Sequence, residues 1–104
     1  MRNTSLKENC YSLLKRIPKG KVTTYKELGR ALNCKGYRAI GQILKRNSNL
    51  EDIPCFKVVK SNGEIGGYCG SSQKNILRKI EKLRNEGIEV IENKVELEKC
   101  LFKF

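Results

Sequence analysis

The sequence predicts a single, mainly helical domain with a small β-hairpin, arranged as a winged helix-turn-helix. Two helical segments, at about residues 25–32 and 37–46, are separated by a four-residue turn that contains a glycine. A hairpin signal, SNG at residues 61–63, follows them where the wing of such a domain would stand. A chain of 104 residues is large enough for one modest hydrophobic core and too small for two.

The first two helices have recognisable faces and ends. Residues 5–16 form an amphipathic helix, and Pro18 and Gly20 follow as its break. Thr24 and Glu27 have the spacing of a capping box that starts the second helix. The apolar face of the first helix is expected to contain Leu6, Cys10, Leu13 and Leu14.

The third helix has an apolar face and a basic face. Its apolar side chains are Ala39, Ile40, Ile43 and Leu44, and its outward side chains are Arg38, Gln42, Lys45 and Arg46. This pattern is typical of a helix-turn-helix, although any pair of antiparallel helices with a solvated basic face shows it too. Gly41 favours the first interpretation. A glycine inside a helix costs about 1 kcal/mol against alanine, which suggests that something must approach the helix closely.

The second half of the chain combines short strands with one long helix. Segments 57–60 and 64–68 flank the Asn-Gly turn and predict the two strands of the hairpin. A helix over residues 73–86 is capped by Ser71 or Ser72 and ends at Gly87. We expect the tail to pack back on the core as a strand and a short turn. The long helix is expected to bury Ile76, Leu77, Ile80 and Leu83.

The positive charge is concentrated in the first half of the chain. The net charge is +11, of which residues 1–50 carry +10 and residues 51–104 carry +1. An even excess of lysine would suit mere solubility, whereas this concentration predicts a surface that faces the phosphates of a nucleic acid. No apolar run is long enough to cross a membrane and the first residues do not form a signal peptide, so we expect a cytoplasmic protein without membrane contact.

Five cysteines and no histidine limit the chemistry that this chain can perform. Without a CxxC pair or a histidine, neither a structural zinc site nor a Cys-His couple is expected. The glycine-rich segment 66–71 lacks a phosphate-binding signature, and we expect no metal and no cofactor. Cys55 is the distinctive cysteine, because Pro54 fixes the backbone before it and a Val-Val strand signal follows, which holds the thiol at a rigid corner.

Four motifs lie in order along the chain: IPKGKVTTY at residues 17–25, YRAIG at 37–41, IPCFKVV at 53–59 and GGYCG at 66–70. Together they resemble the DNA-binding, active-site domain of the O6-alkylguanine-DNA alkyltransferases and their alkyltransferase-like relatives. The resemblance covers about residues 8–88. It implies a monomeric winged helix-turn-helix that binds double-stranded DNA in the minor groove and flips the damaged guanine. It also implies one domain over residues 1–104, with 88–104 a C-terminal extension and no separate N-terminal domain.

The resemblance assigns catalytic roles to four residues. Cys55 matches the cysteine that takes the O6-alkyl group irreversibly, and Asn47 matches the asparagine that supports the active-site turn. Glu81 matches the glutamate at the far end of the network that activates the cysteine. Tyr25 matches the tyrosine that contacts the flipped base and a phosphate, with a half-buried core aromatic as the alternative.

The resemblance also implies a base pocket and a DNA-contacting surface. Cys69 stands where the family usually has serine, and it could be a plain filler, a disulfide partner or a second acceptor. Arg38 would fill the vacated base stack, or only contact a phosphate. The implied pocket residues are Tyr25, Val58, Tyr68, Cys69 and Gly70. The implied DNA contacts are Thr24, Tyr25, Arg38, Ala39, Gly41, Gln42, Lys45 and Ser61.

The chain departs from the family next to the acceptor cysteine. The family motif is Pro-Cys-His-Arg, in which the histidine takes the thiol proton through a water, and here Phe56 and Lys57 follow Cys55. An ordinary thiol has a pKa of about 8.5 and must be activated to react quickly at neutral pH. The open routes are a water path to Glu81, help from positive potential and a helix N-terminus, or no efficient transfer.

Three functions therefore remain open from the sequence. The first is a repair enzyme that transfers the alkyl group once to Cys55, and the retained cysteine favours it. The second is a lesion sensor that binds O6-alkylguanine without transfer and flags it for excision-repair proteins. The third is a winged-helix regulator that reads DNA sequence, although nothing in the chain encodes a dimer interface for half-sites.

Overall fold

Five helices and four short strands make up the part of the chain that the computed structural model describes, residues 5–34, 37–47, 52–66 and 73–104. The fold is therefore mainly helical, with two small sheets. The helices are α1 (Leu6–Lys15), α2 (Tyr25–Ala31), α3 (Tyr37–Lys45), α4 (Gln73–Asn85) and α5 (Leu97–Cys100). The strands are β1 (Thr23–Thr24), β2 (Val58–Val59), β3 (Val90–Ile91) and β4 (Lys94–Val95).

Side-chain caps lie at the starts of α1 and α2, and the cap of α2 is the one that the sequence predicts. Ser5 Oγ accepts a hydrogen bond from Glu8 N at 3.1 Å, and Thr24 Oγ1 accepts one from Glu27 N at 3.1 Å. Each bond satisfies a backbone N–H that has no partner inside its helix. Beyond the end of α4, Gly87 has a φ of +84°, a left-handed conformation that glycine adopts without strain. The predicted caps of α4, Ser71 and Ser72, lie outside the described residues.

The backbone around the Asn-Gly turn pairs differently from the predicted hairpin. The turn itself is present, since Gly63 N donates to Lys60 O at 2.9 Å and Lys60 N donates to Glu64 O at 2.8 Å. However, β2 pairs in parallel with β1, and Ile65 N donates to Asn93 O at 2.9 Å. The segment before the turn therefore pairs with β1, and the segment after it bonds to the C-terminal tail. A local turn signal cannot specify such distant partners. The winged helix-turn-helix stays a prediction.

The C-terminal tail packs back on the core, as predicted. β3 and β4 form an antiparallel hairpin whose turn residues, Glu92 and Asn93, have φ values of +51° and +61°. After α5, Phe102 N donates to Val22 O at 2.7 Å, while Val22 N donates to Cys100 O at 2.8 Å. These bonds attach the end of the chain to the segment that precedes β1.

The buried face of α4 differs from the predicted one. Leu83 and Lys79 are completely buried, whereas Leu77 is 57% exposed, so the prediction for Leu77 is wrong. Spacings of three and four residues place positions 76, 79, 80 and 83 on one side of the helix and position 77 outside it. On α3, Ile40 and Leu44 are buried as predicted, and Ala39 is exposed instead.

In the described ranges, no helix is long and apolar enough to span a bilayer.

Candidate functional site

Cys55 lies at a backbone corner that its neighbours form. Pro54 has φ −80° and ψ 67°, and Cys55 N donates to Ile53 O at 2.8 Å, which closes an inverse γ-turn. A 3₁₀ turn over Cys55–Lys57 then leads directly into β2. Asn47 Nδ2 donates to the same Ile53 carbonyl at 2.9 Å, so the end of α3 supports the corner. This geometry holds the thiol in a fixed position, and Cys55 is only 5% exposed.

Lys57 anchors the 3₁₀ turn from inside the protein. Its Nζ lies 3.0 Å from Glu86 Oε1 and donates to Ile17 O and Pro18 O, each at 3.3 Å. Glu86 also accepts a hydrogen bond from Gly20 N at 3.2 Å. The carboxylate that supports the cysteine turn is therefore Glu86, at the end of α4.

Glu81 does not occupy the position that the resemblance implies. Its side chain is exposed on the solvent face of α4, whereas Lys79 and Leu83 face the core. A helix turns by about 100° per residue, so position 81 points away from the side that positions 79 and 83 share. The prediction that Glu81 ends a network leading to Cys55 is therefore wrong.

Phe56 fills the position of the expected histidine and is buried between two cations. The Nζ atoms of Lys57 and Lys82 lie 5.8 Å and 5.7 Å from the centre of its ring. An ammonium at this distance is attracted to the negative face of an aromatic ring. Phe56 thus packs the turn against α4, and its ring cannot accept a proton from the thiol.

Lys79 is a buried lysine that interacts electrostatically with Cys55. Its Nζ donates to Val58 O at 2.6 Å and also to Ile65 O. Burial lowers its pKa to about 7, and the charge interaction with Cys55 partly opposes this shift. Sequence analysis missed Lys79, although it stands three residues after Ile76 and four before Leu83, on the apolar face of α4.

Three further titratable groups interact with Cys55. Burial raises the pKa of Tyr25, and the neighbouring Cys55 thiol raises it further. Burial raises the pKa of Cys10 to about 11, with smaller contributions from Cys55 and Cys34. The pKa of Tyr11 is raised in the same direction by burial, Cys10 and Cys55. These thiol and phenol groups keep their protons at neutral pH.

An open cavity of about 660 Å³, here called the Tyr25–Arg38 cavity, lies beside the start of α2 and the exposed face of α3. Its side chains include the cations Lys26, Arg38 and Lys60. At Gly41, an added Cβ would meet no atom of the other described segments within 4 Å, so packing against them does not require glycine there. The described residues that line the cavity are Tyr25, Lys26, Arg38, Gly41, Lys60, Ser61 and Asn62.

The cavity collects four residues of the predicted site, and other predicted residues lie elsewhere. Thr24 is buried and its hydroxyl caps α2, and its predicted contact with DNA stays a prediction. Val58 is fully buried in β2, because the strand pairs with β1, and its side chain is part of the core rather than a pocket wall. The predicted DNA contacts Ala39, Gln42 and Lys45 are exposed on α3. The predicted pocket residues Tyr68, Cys69 and Gly70 lie outside the described residues.

The geometry defines a class of protein: a basic, mainly helical domain with a cationic cavity and a positioned, buried thiol, in which Tyr25 lines the cavity and interacts electrostatically with the thiol. The family follows from the sequence of that domain. Residues 5–88 match the family described as 6-O-methylguanine DNA methyltransferase, DNA binding domain. The chain therefore belongs to the O6-methylguanine DNA methyltransferase family, as the four motifs predict.

The relatives are of several kinds. A bifunctional methyltransferase/endonuclease of Picrophilus torridus is 44% identical over 98% of this chain and 33% of its own length. A DNA base-flipping protein of Vibrio parahaemolyticus is 35% identical over 86% of this chain and 87% of its own length. The chain spans about a third of the length of three curated relatives that it matches, at 33%, 33% and 32%.

Solved structures share the fold of all or most of this chain. The crystal structure of S. pombe Atl1 in complex with damaged DNA containing O6-carboxymethylguanine covers 100% of both chains, with a TM-score of 0.85 and 26% identity. The O6-methylguanine-DNA methyltransferase of Pyrococcus kodakaraensis has a TM-score of 0.69 and 36% identity over 82% of this chain and 47% of its own. The fold is thus that of the alkyltransferase DNA-binding domain, and the alignment with Atl1 includes the residues after position 88.

Proposed function

We propose that this protein repairs DNA by binding O6-alkylguanine in a duplex and transferring the alkyl group once to Cys55. The observation that carries the proposal is the double position of Tyr25. Its side chain lines the Tyr25–Arg38 cavity, and its hydroxyl interacts electrostatically with Cys55. A base that enters the cavity would therefore lie close to Tyr25, and Tyr25 connects the cavity with the Cys55 thiol.

DNA would dock on the exposed face of α3. Arg38 and Lys45 are exposed on this helix and Arg46 is exposed directly after it, and the first half of the chain carries +10 of the net charge of +11. Cations in such a row neutralise phosphates and release their counterions. The open space beside Gly41 would let the DNA backbone or groove wall approach closely.

The damaged guanine would enter the cavity by base flipping. Extruding a base costs a few kcal/mol of lost stacking and pairing, and least for a base that is already mispaired. Arg38 lines the cavity from α3 and is placed to occupy the gap left in the stack. The Vibrio relative is named a DNA base-flipping protein, and Atl1 was crystallised with damaged DNA, which supports this mode of binding.

The transfer itself is a displacement at the alkyl carbon. The Cys55 thiolate attacks that carbon, the bond between the carbon and guanine O6 breaks, and a thioether forms on sulfur. The guanine leaves with the electron pair of the broken bond and takes up one proton. Because the thioether is stable, each protein molecule acts once.

The test is a mass measurement after incubation with a duplex that carries O6-methylguanine. We expect one methyl group on the peptide that contains Cys55, and none on the Cys55→Ser protein. The transfer would be refuted by a wild-type protein that binds the O6-methylguanine duplex but gains no methyl group. The same protein would also have to leave a duplex with O6-carboxymethylguanine unchanged.

Phe56 and the full-length similarity to S. pombe Atl1 support a second candidate, a sensor that binds the lesion without transfer. Phe56 cannot relay a proton, and Cys55 is 5% exposed in the free protein. The sensor would hold the flipped base and hand it to excision-repair proteins. In that case the wild type and Cys55→Ser should bind the lesion duplex equally well, and neither should change it.

A further inference from the structure

Tyr25 and Lys60 directly follow the ends of two paired strands. β1 and β2 run in parallel, with Thr24 opposite Val59. The next residue after each strand is Tyr25 on one side and Lys60 on the other, and both line the Tyr25–Arg38 cavity. The register of the strands therefore brings a phenol and a lysine to the same edge of this cavity.

The side chain of Lys60 lies along Gly66. The position that a Cβ would take at Gly66 is 3.5 Å from Lys60 Cγ, 3.8 Å from Lys60 Cε and 3.9 Å from the Tyr25 hydroxyl. Gly66 has a φ of +70°, a conformation that residues with side chains rarely adopt. No side chain at position 66 therefore separates the lysine from the tyrosine.

The ammonium of Lys60 is held by a weak ion pair. Its Nζ lies 3.7 Å from Glu64 Oε2, and the two side chains are 55% and 44% exposed. A pair at this exposure contributes little to stability, because water screens both charges. Rotation of the lysine side chain can therefore move the ammonium from Glu64 to another carboxylate at small cost.

The charge of the cavity is positive. The described residues that line it include the cations Lys26, Arg38 and Lys60, and none of those described residues is acidic. Like charges around a concave space reinforce one another, because the protein walls limit screening by water. A negatively charged group that enters this cavity is therefore favoured over a neutral group of the same shape.

Resting on the proposed function, we propose that this protein prefers O6-alkyl groups that end in a carboxylate, and that Lys60 selects them. Tyr25 lines the cavity and interacts electrostatically with Cys55, so an alkyl group directed at the thiol passes the Tyr25 hydroxyl. The far end of the group then meets the ammonium of Lys60 and accepts a charge-assisted hydrogen bond from it. Selection is a binding step and adds no reaction to the transfer.

A contact with a DNA phosphate is the competing role for Lys60. A phosphate contact would strengthen the binding of every duplex alike, since all duplexes share the same backbone. Selection through the alkyl group changes instead the ratio of the affinities for two lesions in one duplex sequence. The ratio therefore separates the two roles.

The test compares O6-carboxymethylguanine with O6-carbamoylmethylguanine, its neutral amide, in the same duplex. Fluorescence titration with Cys55→Ser measures both affinities in the absence of the acceptor thiol. We expect the carboxylate lesion to bind roughly 5- to 20-fold more tightly than the amide. Lys60→Met in the Cys55→Ser protein keeps the stem along Gly66 without the charge, and should reduce this ratio to about 2-fold or less. Lys60→Arg should retain the ratio.

Lys45→Met is the matched control. Lys45 is exposed on α3 and is not among the described residues that line the cavity. Its loss should weaken the binding of both lesions by the same factor and leave their ratio unchanged. A ratio that falls as much in Lys45→Met as in Lys60→Met would show a general effect of charge and overturn the role of Lys60.

Two further results would overturn the proposal. One is equal affinity of Cys55→Ser for the carboxylate and the amide, and the other is a preference that Lys60→Met keeps in full. Transfer is scored separately, by the mass of the wild type. If no alkyl group reaches Cys55 while the preference and its loss in Lys60→Met are observed, the transfer fails and the selection stands. If Cys55→Ser binds neither lesion better than undamaged duplex, both proposals fail.

Discussion

Lys79→Met removes a buried amine, and the structure gives the pH range in which this loss should alter stability. The pKa of Lys79 is about 7 in the folded protein. In the unfolded chain it returns to about 10.4. Between these values the unfolded chain binds more protons than the folded one, so the free energy of unfolding of the wild type should increase as the pH rises.

The size of the effect follows from linkage. One extra proton bound by the unfolded chain raises the free energy of unfolding by about 1.4 kcal/mol per pH unit. Up to about pH 8.5, the pH dependence of the free energy of unfolding comes from Lys79. Above that pH the cysteines of the unfolded chain lose their protons and contribute as well. Above it the raised pKa of Cys10 acts in the opposite direction, because the folded protein then retains a proton that the unfolded chain loses. From about pH 7 to 8.5, the wild type should gain roughly 2 kcal/mol that Lys79→Met does not gain.

The same total holds whichever of Lys79 and Cys55 carries the proton. A neutral thiol with a neutral amine and a thiolate with an ammonium both hold one proton between them, while the unfolded pair holds two. The stability experiment therefore tests whether the Lys79–Cys55 pair lacks a proton. The ultraviolet absorbance of the Cys55 thiolate, measured as the difference from Cys55→Ser, tests which of the two groups has given it up.

The assay is urea unfolding of the wild type, Lys79→Met and Lys74→Met at several pH values across the range. Lys74→Met makes the same substitution at an exposed position of α4, and its curve should run parallel to that of the wild type. If the curves of Lys79→Met and the wild type are also parallel, Lys79 is fully charged in the folded protein and the burial argument fails.

Three other substitutions test the fold and the DNA surface. Gly63→Ala should lower the free energy of unfolding by about 2 kcal/mol, because Gly63 has a φ of +92° and an added Cβ would lie 2.7 Å from Val95 O; an unchanged urea midpoint would contradict this. Gly41→Ala should stabilise α3 by up to about 1 kcal/mol yet weaken lesion binding in a fluorescence titration, and unchanged affinity would exclude close approach of DNA there. Arg38→Ala should reduce the preference for damaged over undamaged duplex, whereas Lys45→Ala should mainly reduce the slope of log K against log salt by about 1; equal effects of both would argue against base flipping.

Much of the helical framework could be predicted because its signals are local. Thr24 caps α2 at the residue that the sequence indicates, and Gly87 follows the end of α4 with a left-handed backbone. The corner at Cys55 is equally local, since Pro54 and the valines beside it restrict only a few torsion angles. Such features depend on residues within one or two turns of each other.

The surroundings of Cys55 could not be predicted in the same way. A lysine in a basic helix is expected to face water, and nothing near Lys79 in the sequence indicates that two carbonyls from other segments will receive it. Glu81 lies on α4 and Glu86 lies directly after its end. Only the rotation of α4 against the core decides which of the two meets Lys57. The resemblance pointed to Glu81, whereas the glutamate that meets the cysteine turn is Glu86.

The sequence by itself determined the family, the cysteine at its corner, the basic helix and most helix ends, because each is encoded in a short run of residues. The tertiary structure alone decided that β2 pairs with β1, that Thr24 and Val58 are internal, and that the amine of Lys79 is buried. Strand pairing and the ionisation of a buried group depend on which distant segments meet and exclude water, and these contacts exist only in the folded chain.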